Sequence, residues 1–315
     1  MKTATHSSWG IYFLMLFVPL FWGGAFPAAQ HVITEISPIT AAAIRFGAAG
    51  LILLLISLYR SEWNFKEIKQ RWAGLLLMAL TGIFAYNAFF FYALNYTSAI
   101  NGSLIMATTP ILMTLGAVLF LKEPWHMRLG IGLLLSLTGV LLVVTQGSLR
   151  TLLSLSYNMG DLLFILALVS WVTHGLIGKI VMRGITPLLT TTFTSLVGSV
   201  GLLIWSLFEG GWRSVPLMSV QAWLEMMYMI VFATVLAFFL WNKGVHEIGA
   251  SIASMFMNLV PINASWIAVA FYGSTITWKQ ITGMLLVITS VFLVAGSKKK
   301  HEPVKHQKLT SEVQS

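Results

Sequence analysis

The chain has 315 residues, of which 57% are apolar and only 9% charged, with a formal net charge of +9. A charged share so far below the soluble average of about a quarter excludes an ordinary soluble domain, and the absence of cysteine excludes disulfides, thiol catalysis and thiolate metal sites. The basic balance is not a nucleic-acid footprint, because lysine and arginine gather in short connections and in the tail instead of along one stripe.

Apolar runs of about 20 residues predict an all-α integral membrane protein with ten transmembrane helices. The spans fall at roughly 9–29, 38–58, 72–95, 98–121, 129–145, 160–179, 187–208, 223–241, 249–272 and 279–295. The first contains Pro19 and Pro27. A cleaved signal peptide is its rival reading, but the run is longer than a signal core of about 7–15 residues. The second is dense in small residues, among them Ala41, Ala42, Ala43, Gly47 and Gly50, which permit close helix approach. The third carries Tyr86, Asn87, Phe90 and Tyr92, and the sixth carries Trp171 and His174. The fourth and ninth hold Pro110 and Pro261. The longest connections, 59–71 and 146–159, are too short for a soluble domain, and a polar, basic tail follows from Lys298.

An internal repeat organises these spans. With Pro110 set on Pro261, Ala99 falls on Ala250, Ser103 on Ser254, Met106 on Met257, Phe120 on Phe271, Gly132 on Gly283 and Thr138 on Thr289. At a slightly different offset Trp22 falls on Trp171 and Pro38 on Pro187. The expected units are a first five-helix repeat over 1–147, a second over 148–297, and a basic cytoplasmic tail over 298–315. With the N-terminus inside, about fifteen lysines and arginines lie on inner segments against three (Arg150, Arg213, Lys279) on outer ones. Both termini are therefore expected in the cytoplasm, and two five-span halves must then be inverted, a plan that places a solute site where they meet.

The run Phe21-Trp22-Gly23-Gly24-Ala25-Phe26, then Pro38 and Ala43-Ile44-Arg45-Phe46, resembles the EamA family of the drug/metabolite transporter superfamily. So do Tyr92-Ala93-Leu94-Asn95-Tyr96-Thr97-Ser98-Ala99, the path through Pro110 to Leu121-Lys122-Glu123, and in the second copy Gly160-Asp161-Leu162-Leu163, Ser170-Trp171, Pro261 and Gly283. The resemblance covers nearly the whole chain. It implies two inverted five-helix halves and transport of small metabolites, commonly export of amino acids or related compounds. One departure is plain: the second half has Tyr272-Gly273-Ser274 where the family often has a Gly-Glu pair.

No carboxylate maps to mid-membrane. Arg45 lies about two turns inside the second span, and a charge there is a functional candidate by default. Its structural alternative is snorkelling, or pairing with carbonyls freed near Pro27. His174 is a candidate proton carrier, with a neutral, hydrogen-bonded imidazole as the blander alternative. Asn258 and Asn263 flank Pro261, which lacks an N–H, and Thr109 adjoins Pro110. Trp22 and Trp171 sit within their spans, away from the interfaces where tryptophan usually belongs.

The expected cavity wall is therefore Trp22, Tyr86, Asn87, Thr109, Trp171, His174, Asn258 and Asn263, with Arg45 as a gating or structural charge. No catalytic residue, metal site or cofactor is expected. The partners are a small-molecule solute, the lipid bilayer and, with His174, protons as coupling ion. The leading reading is a non-enzymatic secondary transporter of the cytoplasmic membrane, an alternating-access exporter of neutral or zwitterionic compounds related to amino acids. A membrane-embedded enzyme would need a nucleophile with a base or a metal cluster, and Ser170 with His174 is its faint trace. A nucleotide-sugar-type transporter would want several basic cavity residues where only Arg45 is available.

Overall fold

A computed structural model describes residues 8–97, 99–148, 158–272 and 275–295. Arg150, Ser274 and the basic tail lie outside the described residues. The described chain holds ten helices long and apolar enough to cross a membrane. They are α1 (Ser8–Glu35), α2 (Pro38–Tyr59), α3 (Phe65–Ala93), α4 (Ala99–Met106 and Thr109–Leu121), α5 (Met127–Thr145), α6 (Met159–Val181), α7 (Pro187–Glu209), α8 (Val220–Ile248), α9 (Ala250–Met255, then Val260–Tyr272) and α10 (Trp278–Ala295).

Three helices outrun their apolar stretches. Helix α1 continues through both prolines to Glu35. Helix α3 starts at Phe65, well before Trp72, because the Asn64 side chain accepts from the Lys66 and Glu67 amides and supplies an N-cap. Its first turns are too polar to be read by hydropathy. Helix α8 runs on past Trp241 to Ile248, with Lys243 and Glu247 one turn apart at 3.9 Å.

Equivalent helices of the two halves pair: α5 packs against α10 and α2 against α7. At the first seam a Cβ on Gly139 would lie 2.6 Å from the Gly283 carbonyl oxygen, and one on Gly283 would lie 2.5 Å from that of Gly139. Only glycine lets two backbones come this close.

Four helices are irregular near their middles. Helix α3 has a π turn at Ala79–Ala85 and α8 one at Val231–Leu236. With Pro110 set on Pro261 these two segments fall at matching positions. Helix α4 breaks just before Pro110, whose missing N–H leaves the Met106 carbonyl without its helical donor. The Thr109 hydroxyl donates to that carbonyl at 2.5 Å, and the Thr108 hydroxyl to Ile105 O at 2.6 Å. Helix α9 tightens to a 3-10 turn over Phe256–Leu259 before Pro261.

Four of the scarce acidic residues serve helix beginnings, where free N–H groups and the helix dipole favour negative charge. Glu209 accepts from the Ile39 and Thr40 amides of α2. Glu123 accepts from the Ala250 and Ser251 amides and the Ser251 hydroxyl of α9. Glu35 takes the amide and hydroxyl of Ser219, both at 2.6 Å, at the start of α8. Asp161 forms a capping box with Asn158 and accepts from Thr97 of the other half at 2.7 Å. Most of these contacts join the halves, and among the described residues no carboxylate lies near the middle of a long helix.

Candidate functional site: a cavity open at one end

Between the halves lies a cavity of about 580 Å³. Its mouth is at the end of the bundle where α1 and α5 finish and α10 begins, beside Gln30, Gln146 and Gln280. Its floor is formed by Trp22, Arg45, Trp171, Phe238 and Asn258. Beyond the floor the helices contact one another directly: Glu123 caps α9, Met15 lies against Gly244, and Lys179 donates to the His246 carbonyl at 2.6 Å.

The floor is aromatic. Trp171 is 1% exposed and meets Trp22, Tyr86, Phe238 and Trp241 at ring-centroid distances of 5.2–5.5 Å. The Trp171 Nε1 points at Met257 Sδ at 3.2 Å. The Trp22 Nε1 donates to the Ala233 carbonyl at 2.9 Å, so one indole from α1 holds the π turn of α8.

Arg45 reaches the same π turn. Its Nε donates to Thr234 Oγ1 at 2.7 Å and its Nη2 to Ala233 O at 3.3 Å. The carbonyl that steadies this buried cation therefore belongs to α8, and not to the backbone near Pro27. A π turn widens the helix locally, and here it turns a carbonyl and a hydroxyl toward the guanidinium. Thr234 also donates to Met229 O at 2.8 Å, so its oxygen is oriented to accept.

Of the residues expected on the wall, Trp22, Tyr86, Trp171 and Asn258 line the cavity, as does Arg45. Asn87, Thr109, His174 and Asn263 do not contribute to the lining, each for a local reason. Asn87 is fully buried and donates to its own helix at Ile83 O, 2.8 Å. Thr109 serves the carbonyl left by Pro110. Asn263 packs against α1, where a Cβ on Gly23 would approach its Cβ to 2.9 Å. His174 lies behind Trp171, stacked on it with centroids 5.4 Å apart.

His174 instead contacts α3 much as Trp22 contacts α8. Its Nδ1 contacts the Met78 carbonyl, next to the π turn of α3, at 3.1 Å. A carbonyl only accepts, so Nδ1 carries the hydrogen. Its Nε2 has no partner at hydrogen-bonding geometry, with Asn242 nearby, and no ion pair reaches it among the described residues. Each π turn is thus held by a side chain from the opposite half.

Several lining residues carry no signal readable from sequence. Phe238 looks like any apolar residue of a span. Met106 and Met257 line the cavity as well. Gln280 accepts from Thr277 and donates to Val143 O at 3.3 Å. Asn258 donates to Ser136 on α5 at 2.5 Å.

The sequence model of the EamA-like transporter family matches residues 9–145 and again 158–296. The chain is 36% identical over 286 residues to the uncharacterized transporter YyaM of Bacillus subtilis (strain 168), covering 91% of this chain and 93% of that one. It is 25% identical to the uncharacterized transporter YetK of the same organism, covering 88% and 84%. An uncharacterized transporter of Archaeoglobus fulgidus is 24% identical, covering 96% of this chain and all of its own length. One solved crystal structure has the same fold with a TM-score of 0.71 at 17% identity, over 89% of this chain and 95% of the other.

Proposed function

The chain belongs to the EamA-like transporter family, and from that premise we propose that it carries a small metabolite across the cytoplasmic membrane by alternating access. The observation that supports this most directly is the cavity of about 580 Å³ between the halves, lined from Gln30, Gln146 and Gln280 toward one end of the bundle to Trp22 and Arg45 deeper within it. That volume suits a solute of amino-acid to small-drug size. The cluster of lysine and arginine on one set of connections orients both termini inward, which turns the open mouth outward and the Glu123 cap toward the cytoplasm. The two halves are then inverted copies, and the same rocking that closes the mouth releases the cap. Export of amino acids or related neutral or zwitterionic compounds is the favoured direction and cargo.

The test is counterflow in proteoliposomes loaded with a metabolite mixture. Accumulation of labelled solute driven by the same unlabelled solute inside supports a carrier. Chemical conversion of the solute with no counterflow would refute it.

A further inference from the structure

Resting on the transporter reading, we propose that the cavity selects solutes bearing a carboxylate, bound by Arg45 on its floor. Arg45 is only 6% exposed, yet it lines the cavity. Its protein partners are two neutral acceptors on α8 and the face of the Phe46 ring, 5.0 Å from the guanidinium carbon. Nη1, which carries two of the five guanidinium hydrogens, has no acceptor among the described residues, and it is not among the fully enclosed unsatisfied atoms. It is therefore not sealed off, and Arg45 lines the cavity.

The charge is not neutralised. Every described acidic residue is engaged at a helix start or a bundle end: Glu35, Glu123, Asp161 and Glu209 as above, Glu62 with Thr186, Glu67 with Asn64, Glu225 with His31, and Glu247 with Lys243. None lines the cavity. The ionisable groups nearest Arg45 are the phenols of Tyr86 and Tyr228. A cation enclosed in a membrane bundle is costly until it is paired, and the group that matches a guanidinium best is a carboxylate.

The surroundings define the rest of the solute. The Tyr86 hydroxyl makes no protein hydrogen bond among the described residues and lines the same floor, so it supplies a second donor. Trp22, Trp171 and Phe238 offer faces and edges for an apolar or aromatic body. The expected ligand is a small monocarboxylate or amino acid with an apolar side group. Arg45 is more than an anchor for the π turn, since a neutral donor would satisfy Thr234 and Ala233 as well.

The experiment uses purified full-length protein and two matched pairs, phenylacetate with phenylacetamide and leucine with leucinamide. Binding is read by thermal shift and by quenching of tryptophan fluorescence. The acids should bind at least about tenfold more tightly than the amides. Arg45→Gln should level each pair, and Arg45→Lys should keep the preference at reduced affinity. Amides binding as well as acids, or none of the four binding, would overturn the assignment; so would a preference surviving in Arg45→Gln. If that variant does not fold, the wild-type ratios decide. Counterflow of an amine or uncharged sugar that no acid competes for sinks the carboxylate assignment and leaves the carrier standing. Tight acid binding without any counterflow does the reverse.

Discussion

Trp22 of α1 and Trp171 of α6 meet edge to face with ring centroids 5.3 Å apart. They are matched positions of the internal repeat, so the two halves touch through the same residue type at the base of the cavity. Their N–H groups differ in duty. Trp22 binds a backbone carbonyl, whereas Trp171 faces a methionine sulfur.

Trp22→Phe keeps most of the ring packing and removes the bond to Ala233. It should cost about 1 kcal/mol, seen as a lower unfolding temperature in detergent. Trp171→Ala removes the centre of the aromatic floor and should cost more, about 3–5 kcal/mol on the scale of buried aromatic truncations. Equal losses in the two variants would show that the floor is not organised around Trp171.

Gly82 faces His174 so closely that a Cβ there would fall 2.1 Å from Nδ1. Gly82→Ala should destabilise the protein by about 1–3 kcal/mol. The loss should shrink when His174 is also replaced by Ala, giving a positive coupling in a double-mutant cycle. His174→Gln should lower stability and leave the pH dependence of flux unchanged, because the ring is turned to Met78 and not to the cavity. A flattened pH profile would restore the proton-carrier role.

Glu123 holds the start of α9 through two amides and a hydroxyl. Glu123→Ala should weaken that end by about 1–2 kcal/mol, raising its open population about 5–30-fold. Because the chain has no cysteine, a single Ser254→Cys reports this directly. Ser254 is fully buried one turn inside the cap, so labelling by a soluble maleimide should be slow in the parent and faster in the Glu123→Ala background.

Gly139→Ala and Gly283→Ala each place a methyl group within 2.6 Å of a backbone oxygen. Neither oxygen belongs to a side chain that can swing aside, so α5 and α10 must separate. Each variant should lose about 1–3 kcal/mol, and a thermal melt matching that of the parent would mean the seam is looser than drawn.

Hydropathy carried the ten spans, since a bilayer demands apolar length above all. It failed at Phe65 and at Ile248, where helix continues on polar, amphipathic turns. The paired tryptophans were legible because both sit inside spans and both recur in the repeat. His174 and Asn87 were equally polar in sequence, but a helix presents residues on every side, and spacing alone does not say which side meets the other half. The π turns left no readable mark: Ala79–Ala85 and Val231–Leu236 are ordinary apolar stretches, and their position emerges only from what Trp22, Arg45 and His174 donate to or contact.

The Trp22–Ala233 bond also constrains how the molecule is made. Its acceptor is synthesised 211 residues after its donor, and the Met78 carbonyl waits 96 residues for His174. In lipid an unmatched polar group has no water to fall back on. The first helices to insert must therefore idle, incompletely satisfied, until the eighth enters the bilayer, and a chain truncated before that point should be a substrate for membrane quality control instead of half a transporter.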